Sequence, residues 1–164
     1  MPTEDRTKAR LKREATTLAA SGDVQLLTFK LDEQEYALSI AHVVQVVRMV
    51  AVTHAPKAPE FVEGMINLRG KVIPVINIRR RCGLPDKPFD LNTQLLIART
   101  TGRMLALMVD TVSEVLTVPA ANVVPPDQIG PELAHLSAVG KLDDRLILVL
   151  DPRTLLTDEE AKGL

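Results

Sequence analysis

The chain has 164 residues, a length that suits one compact domain or two very small ones sharing a core. Twenty Lys+Arg stand against 21 Asp+Glu, and that near-zero balance argues against both a strongly basic nucleic-acid binder and an acidic disordered chain. No apolar run approaches the ~18 residues of a membrane span, the N-terminus carries no apolar signal segment, and the single cysteine excludes an internal disulfide, so a cytoplasmic protein without membrane insertion is expected.

Taken in chain order, residues 1–23 read as a charged extension, helical or frayed. Leu11, Ala15, Leu18 and Ala19 recur at helical spacing among Lys and Arg, and Gly22 stands where a C-terminal cap belongs. The apolar stripe is too thin to anchor it to a core. From Val24 the texture changes to short runs of Val, Ile and Leu separated by turn residues. Residues 24–31 and 35–39 are strand candidates around a turn at 32–34, and 40–47 starts as a helical turn and ends as a strand. Three further hairpins follow: 64–68 with 71–77 around Arg69-Gly70, 93–99 with 103–110 around Thr101-Gly102, and 137–142 with 145–150 around Asp143-Asp144. Residues 112–118 form another strand. Asp151 is placed as an N-cap, with Pro152 opening a short helix that ends near Leu156, and 158–164 read as a polar tail. Four prolines make 119–132 a long irregular connection. Pro74 lies mid-strand without an N–H to give, so its strand should lie at an edge or carry a bulge. Many short strands and no long helix indicate an all-β barrel or sandwich.

The chain also repeats itself. Residues 36–47 match 105–116 at an offset of 69, and 72–77 match 146–151 at an offset of 74. The simplest account is two copies of one β unit of about 65 residues. A unit that small buries only about 60% of its unfolded surface and is marginal alone, so the two copies are expected to share an apolar seam.

Chemistry-bearing motifs are absent: no Walker loop, no G-x-S-x-G, no G-x-G-x-x-G, no H-E-x-x-H and no C-x-x-C. His42, His54 and His135 have no ligand spacing, and Cys82, between arginine and glycine, reads as a packing residue. Asp143-Asp144 and Glu159-Glu160 read as a solvated turn and tail. No cofactor, no metal and no catalysis are expected. Arg79-Arg80-Arg81 is the one concentrated basic run. It is either a phosphate-binding patch or a set of salt bridges to nearby acids. With only Phe29, Tyr36, Phe61 and Phe89 as aromatic rings, a base-stacking nucleic-acid surface is hard to build.

Residues 58–81 contain Pro59-Glu60-Phe61-Val62-Glu63-Gly64-Met65-Ile66-Asn67-Leu68-Arg69-Gly70-Lys71-Val72-Ile73-Pro74-Val75-Ile76-Asn77-Ile78. This closely resembles the hallmark of the CheW family of bacterial chemotaxis coupling proteins, P-x-F-V-x-G-x-x-N-L-R-G-x-V-I-P-V-[IV]-[DN]-[LI]. Residues 29–38, 109–116 and 146–156 resemble the family's opening hairpin, central strand and closing strand with helix. The resemblance spans about 25–157. It implies two SH3-like five-stranded β-barrels sharing a hydrophobic core, with short helices: a CheW-like domain over 24–157, barrel one at about 32–90 and barrel two at about 91–157 plus the first strand. It also implies a non-catalytic adaptor between the cytoplasmic tip of a methyl-accepting chemoreceptor and the regulatory domain of the histidine kinase CheA, recruited to receptor arrays. The implied receptor groove comprises Val43, Gln45, Gly64, Arg69, Ala106 and Val115, with Gly64 admitting a receptor helix close to the backbone. Val46 and Glu63, with residues near 119–132, are the expected kinase contacts. Gln45 and Glu63 depart from the charges common in the family, which points to an altered partner. The alternatives are a CheW-like scaffold for another regulatory partner, or an SH3-like module binding RNA through Arg79–Arg81.

Overall fold

The computed structural model describes residues 22–126 and 134–162. The extension up to residue 21, and 127–133 of the proline-rich connection, lie outside the described residues. The strands are β1 (Val24–Leu31), β2 (Gln34–Ser39), β3 (Val43–Arg48), β4 (Val62–Leu68), β5 (Lys71–Asn77), β6 (Gln94–Thr100), β7 (Arg103–Val109), β8 (Thr111–Val118), β9 (Val123–Val124), β10 (Leu136–Leu142) and β11 (Arg145–Leu150). Single 3-10 turns at Ile40–His42 and Ala120–Asn122 lead into β3 and β9. Three short helices complete the set: α1 (Ile78–Arg81), α2 (Pro152–Leu155) and α3 (Asp158–Lys162). Two repeats of one cap appear here. Asn77 accepts from the Arg80 amide at the start of α1, and Asp151 accepts from the Arg153 amide at the start of α2.

The strands make two sheets, β3-β6-β7-β5-β4 and β8-β1-β2-β11-β10-β9. Each closes on itself by the same device. The chain leaving β3 returns at Thr53 to bridge Met65 of β4, and the chain leaving β8 returns as β9 to pair with β10. The expected pair of small closed barrels is present. Their division of the chain differs from expectation, however. The boundary near residue 90 does not hold: β2 belongs to the second barrel, and β6 and β7 belong to the first. The reason is that a hairpin with a two-residue turn moves as one piece. Under the internal repeat, β1 and β2 correspond to β6 and β7, while β3, β4 and β5 correspond to β8, β10 and β11. Each barrel takes its opening hairpin from one repeat and its remaining strands from the other. The exchanged hairpins join through short parallel contacts, β2 on β11 at Tyr36 and Ala37, and β7 on β5 at Ala106 to Met108.

Exchange explains the distribution of the core. One apolar cluster fills each barrel, with Ile66, Ile73, Leu95, Ile97 and Ala106 in the first and Leu26, Ala37, Val118, Ile147 and Val149 in the second. The largest cluster lies between them and draws Phe29, Tyr36 and Leu38 from one side and Ile76, Leu96 and Leu107 from the other. Each such aliphatic side chain contributes roughly 1.5–3 kcal/mol on burial. Phe29 and Tyr36 stack there with ring centroids 6.1 Å apart.

Pro74 takes neither expected placement, an edge or a bulge: β5 lies between β7 and β4, and the register shift of the β4–β5 pair falls at Val62–Gly64, away from Pro74. Met65, its partner across β4, spends both backbone groups on Thr53, so Met65 and Pro74 form a pair without mutual hydrogen bonds. The ring nitrogen therefore faces β7, where parallel pairing begins only at Val75. The tail expected from 158 onward instead forms α3, held by Arg103 on Asp158 and Arg81 on Glu160, each at 2.8 Å.

Gly64 has φ 152° and sits in a bulge of β4, with the returning segment pressed against it. A Cβ there would lie 2.2 Å from the Thr53 carbonyl oxygen and 2.7 Å from Val52. Gly64 is thus what lets the first barrel close. Gly64→Ala is expected to lower stability by about 1–3 kcal/mol through the clash and the positive φ. Urea denaturation monitored by circular dichroism checks this. An unchanged midpoint would contradict the closure role.

Candidate functional site

Candidate docking residues fall on β3 and β8, the strands from which each barrel starts its closure. On β3 the side chains alternate: Val43, Gln45 and Val47 are half-buried, whereas Val44, Val46 and Arg48 face outward. On β8 the exposed residues include one valine, Val115, 52% exposed against 36% for Val46. Val46 and Val115 are 69 residues apart and occupy the same place in the two repeats. The repeat partner of Val43 is Val112, and both pack against the shared core. Val43 and Val115 are therefore not equivalent positions: one is a seam residue and the other a surface residue. Val44 belongs with the outward set and was missed, although the period of two along β3 carries the signal. β8 is fastened to β1 at a bulge, where the Thr28 hydroxyl donates to the Glu114 carbonyl at 3.0 Å and accepts from the Glu114 amide at 3.3 Å.

Other expected site residues divide into surface and interior. Arg69 is at the β4–β5 turn, exposed, with φ 52° and no carboxylate partner among the described residues. Its turn is held by the Gly70 amide donating to Asn67 at 3.0 Å. Ala106 is fully buried inside the first barrel, between β6 and β5, and presents nothing to a partner. The space beside Gly64 is occupied by Val52 and Thr53 of this same chain, so no incoming helix approaches the backbone there. Glu63 is largely buried, accepts from the Asn77 amide at 2.8 Å and pairs with Arg80 at 3.3 Å. Its carboxylate anchors α1.

The basic run dissolves into ion pairs. Arg79 is buried and holds Asp32 at 2.8 Å and Asp110 at 2.6 Å. Arg80 holds Glu63 and Asp86. Arg81 lies 4.0 Å over the Phe61 ring and pairs with Glu160 at 2.8 Å. The Arg79 contact joins α1 to the β1–β2 turn and to the crossover from β7 to β8, so it clasps the two barrels together. The hydrogen bond from Arg79 holds the Asp32 carboxyl below the usual carboxylate range. The Glu63 and Asp86 charges act with a hydrogen bond to keep Arg80 firmly protonated, the bond to Asp86 weighing most. No open phosphate-binding surface remains in this run.

Elsewhere the chemistry is quiet. Burial pushes the Cys82 thiol up to about 11, which removes its nucleophilic character near neutral pH. Among the described residues no three His, Cys, Asp or Glu side chains gather as metal ligands, and no helix is long and apolar enough to cross a membrane. What the arrangement offers is surface: outward valines at equivalent places on two barrels fixed by one core.

Comparison with known proteins agrees with this geometry. Residues 25–160 match the family model described as CheW-like domain. The chain is 30% identical over 138 residues to a chemotaxis protein CheW of Klebsiella aerogenes, covering 83% of each chain. It is 31% identical over 146 residues to a probable chemotaxis protein CheW of Rhizobium etli, covering 87% of this chain and 93% of that one. Among solved structures, the scaffolding protein TtCheW from Thermoanaerobacter tengcongensis is similar with a TM-score of 0.77 and 32% identity, over 84% of this chain and 90% of that chain.

Replacing Arg79 with Met leaves Asp110 part-buried without its main partner, and a stability loss of about 1–3 kcal/mol is expected. The clasp also sets a pH dependence. Because the folded Asp32 value is depressed, its contribution is present above the unfolded value of about 4 and is lost as pH falls below it. Denaturation midpoints recorded between pH 7 and pH 2.5 should show a smaller acid-side decline in Arg79→Met than in the parent chain.

Proposed function

The chain belongs to the family of CheW-like domains, and from that membership we propose that it is a non-catalytic coupling adaptor joining the cytoplasmic tip of a methyl-accepting chemoreceptor to the regulatory domain of a CheA-type histidine kinase. The observation that carries this reading is the pairing of outward valines, Val46 on β3 and Val115 on β8, at equivalent positions of two barrels locked by a common core. Coupling needs two faces held at a fixed separation, so that a small change at one partner reaches the other as a change in geometry rather than being absorbed by a flexible joint. Non-obligate interfaces of this kind combine an apolar centre with a hydrogen-bonding rim.

On the receptor side the apolar face of a helical hairpin would lie across Val43, Gln45 and Val115, with the Arg69 guanidinium reaching receptor carbonyls or carboxylates from the β4–β5 turn. Gly64 and Ala106 act from within: one permits barrel closure and the other fills the barrel, so both shape the face without touching the partner. On the kinase side, Val46 and the connection near 119–132 supply contact area, and Glu63 contributes by setting α1. Gln45 carries no charge for a charge-matched partner to engage, which narrows the set of receptors that bind well. The setting is cytoplasmic, at receptor arrays. The RNA-binding alternative loses its basis because each of Arg79, Arg80 and Arg81 is committed to a carboxylate.

Arg69→Glu is the direct test of the receptor face. The side chain is exposed, and the positive φ of 52° strains Arg and Glu alike, so the thermal transition should stay within about 1 °C. Co-sedimentation with a receptor cytoplasmic fragment is expected to fall at least tenfold, while capture of the kinase regulatory domain is unchanged. Undiminished receptor co-sedimentation would contradict the assignment of Arg69. Loss of kinase capture as well would mean that the two faces are not separate.

A further inference from the structure

Pro74 shapes one end of the first barrel. Its missing N–H removes the rung that would reach β7 one step before Val75, and the parallel pairing of β5 with β7 starts only at Val75 and Ala106. The second barrel supplies an internal control. Leu148 stands where the repeat has Pro74, it keeps its N–H, and there the β11–β2 pairing extends one pair further, from Val149–Ala37 to Leu148–Tyr36. Ahead of Pro74 the strands part, and a hollow of about 570 Å³ opens beside the starts of β5 and β7. That size falls within the roughly 300–1,000 Å³ typical of small-molecule sites.

The lining is apolar in its depth and cationic at its edge. Pro74 and Leu156 are buried, and the thioethers of Met65 and Met104 are half-buried beside them. Lys71 and Arg99 stand exposed at the edge, with no acidic partner among the described residues. A third cation, Arg103, is already held by Asp158 at 2.8 Å. The repeat shows what the first barrel lacks. Lys71 corresponds to Arg145, and Met104 corresponds to Glu35. In the second barrel Glu35 and Arg145 pair through two hydrogen bonds, at 2.9 Å and 3.0 Å. The first barrel keeps the cation and replaces its carboxylate by a thioether. An anion that completes the same pair has to come from outside the described chain.

We propose that this hollow binds an aromatic organic anion. Its carboxylate or sulfonate group pairs with Lys71 and Arg99, as Glu35 pairs with Arg145 in the second barrel, and its ring lies against Met65, Pro74 and Met104. Sulfur–ring contacts favour an aromatic body over an aliphatic one. The planar Arg99 guanidinium suits both the head group and the ring face. Neither Val46 nor Val115 lines the hollow, so this inference stands apart from the adaptor reading.

Fluorescence titration of the full chain with anilinonaphthalene sulfonate tests this, followed by displacement with naphthoate and with naphthylmethanol, its uncharged counterpart. One saturable site is expected, with naphthoate displacing the probe at least tenfold more effectively than the alcohol. Lys71→Gln with Arg99→Gln should weaken both anions at least tenfold. Met104→Glu places beside Lys71 the carboxylate that the second barrel holds at Glu35, and should abolish naphthoate binding. Circular dichroism checks that both variants fold. Amide shifts of the parent chain on adding naphthoate need no variant, and should centre on residues 71–74, 99–104 and Leu156. Absence of a saturable site, equal displacement by acid and alcohol, folded variants that bind like the parent, or amide shifts confined to β3, β8 or the second barrel would each overturn the proposal.

Discussion

Two short parallel strand contacts, β2 on β11 and β7 on β5, hold the rest of this structure in place. Each joins a hairpin of one repeat to the last strand of the other, so neither barrel can be completed from its own repeat. The consequence is mechanical. A pair of independent barrels joined by a linker would reorient freely, whereas barrels that exchange hairpins share one buried cluster and hold their outer faces at a set angle. The Arg79 clasp on Asp32 and Asp110 adds a polar tie at the same junction. An adaptor that transmits geometry needs this stiffness more than it needs any reactive group.

The charged residues serve the same end. The three consecutive arginines of α1 reach five acids, and each fastens different neighbours: Arg79 the β1–β2 turn and the β7–β8 crossover, Arg80 β4 and the loop at Asp86, and Arg81 α3. Glu63 is drawn into this network through its pair with Arg80. The exposed surface includes the outward valines on β3 and β8.

Much of this was legible in the sequence because strand alternation, two-residue turns and the internal repeat are local signals. The hairpins at Arg69-Gly70, Thr101-Gly102 and Asp143-Asp144 and the cap at Asp151 stand where the residues put them. The membership of the barrels was not legible, since β2 and β6 carry no mark of the partner strand across the exchange. Pro74 misled for a related reason: a missing N–H restricts only the side it faces, and that side is settled by pairing with Thr53 far from the proline itself. Among candidate site residues the error was to treat Ala106 and Gly64 as surface. A motif preserves residues that shape a face from inside along with those that form it, and only burial separates the two.

The central claim is that one rigid molecule presents separate faces to two partners at once. Analytical co-sedimentation of the chain with a receptor cytoplasmic fragment and the kinase regulatory domain, singly and together, tests it most directly. A ternary species in which each partner binds with the same affinity whether or not the other is present, or more tightly, is the expected result. Mutually exclusive binding, in which saturating receptor displaces the kinase domain, would contradict it.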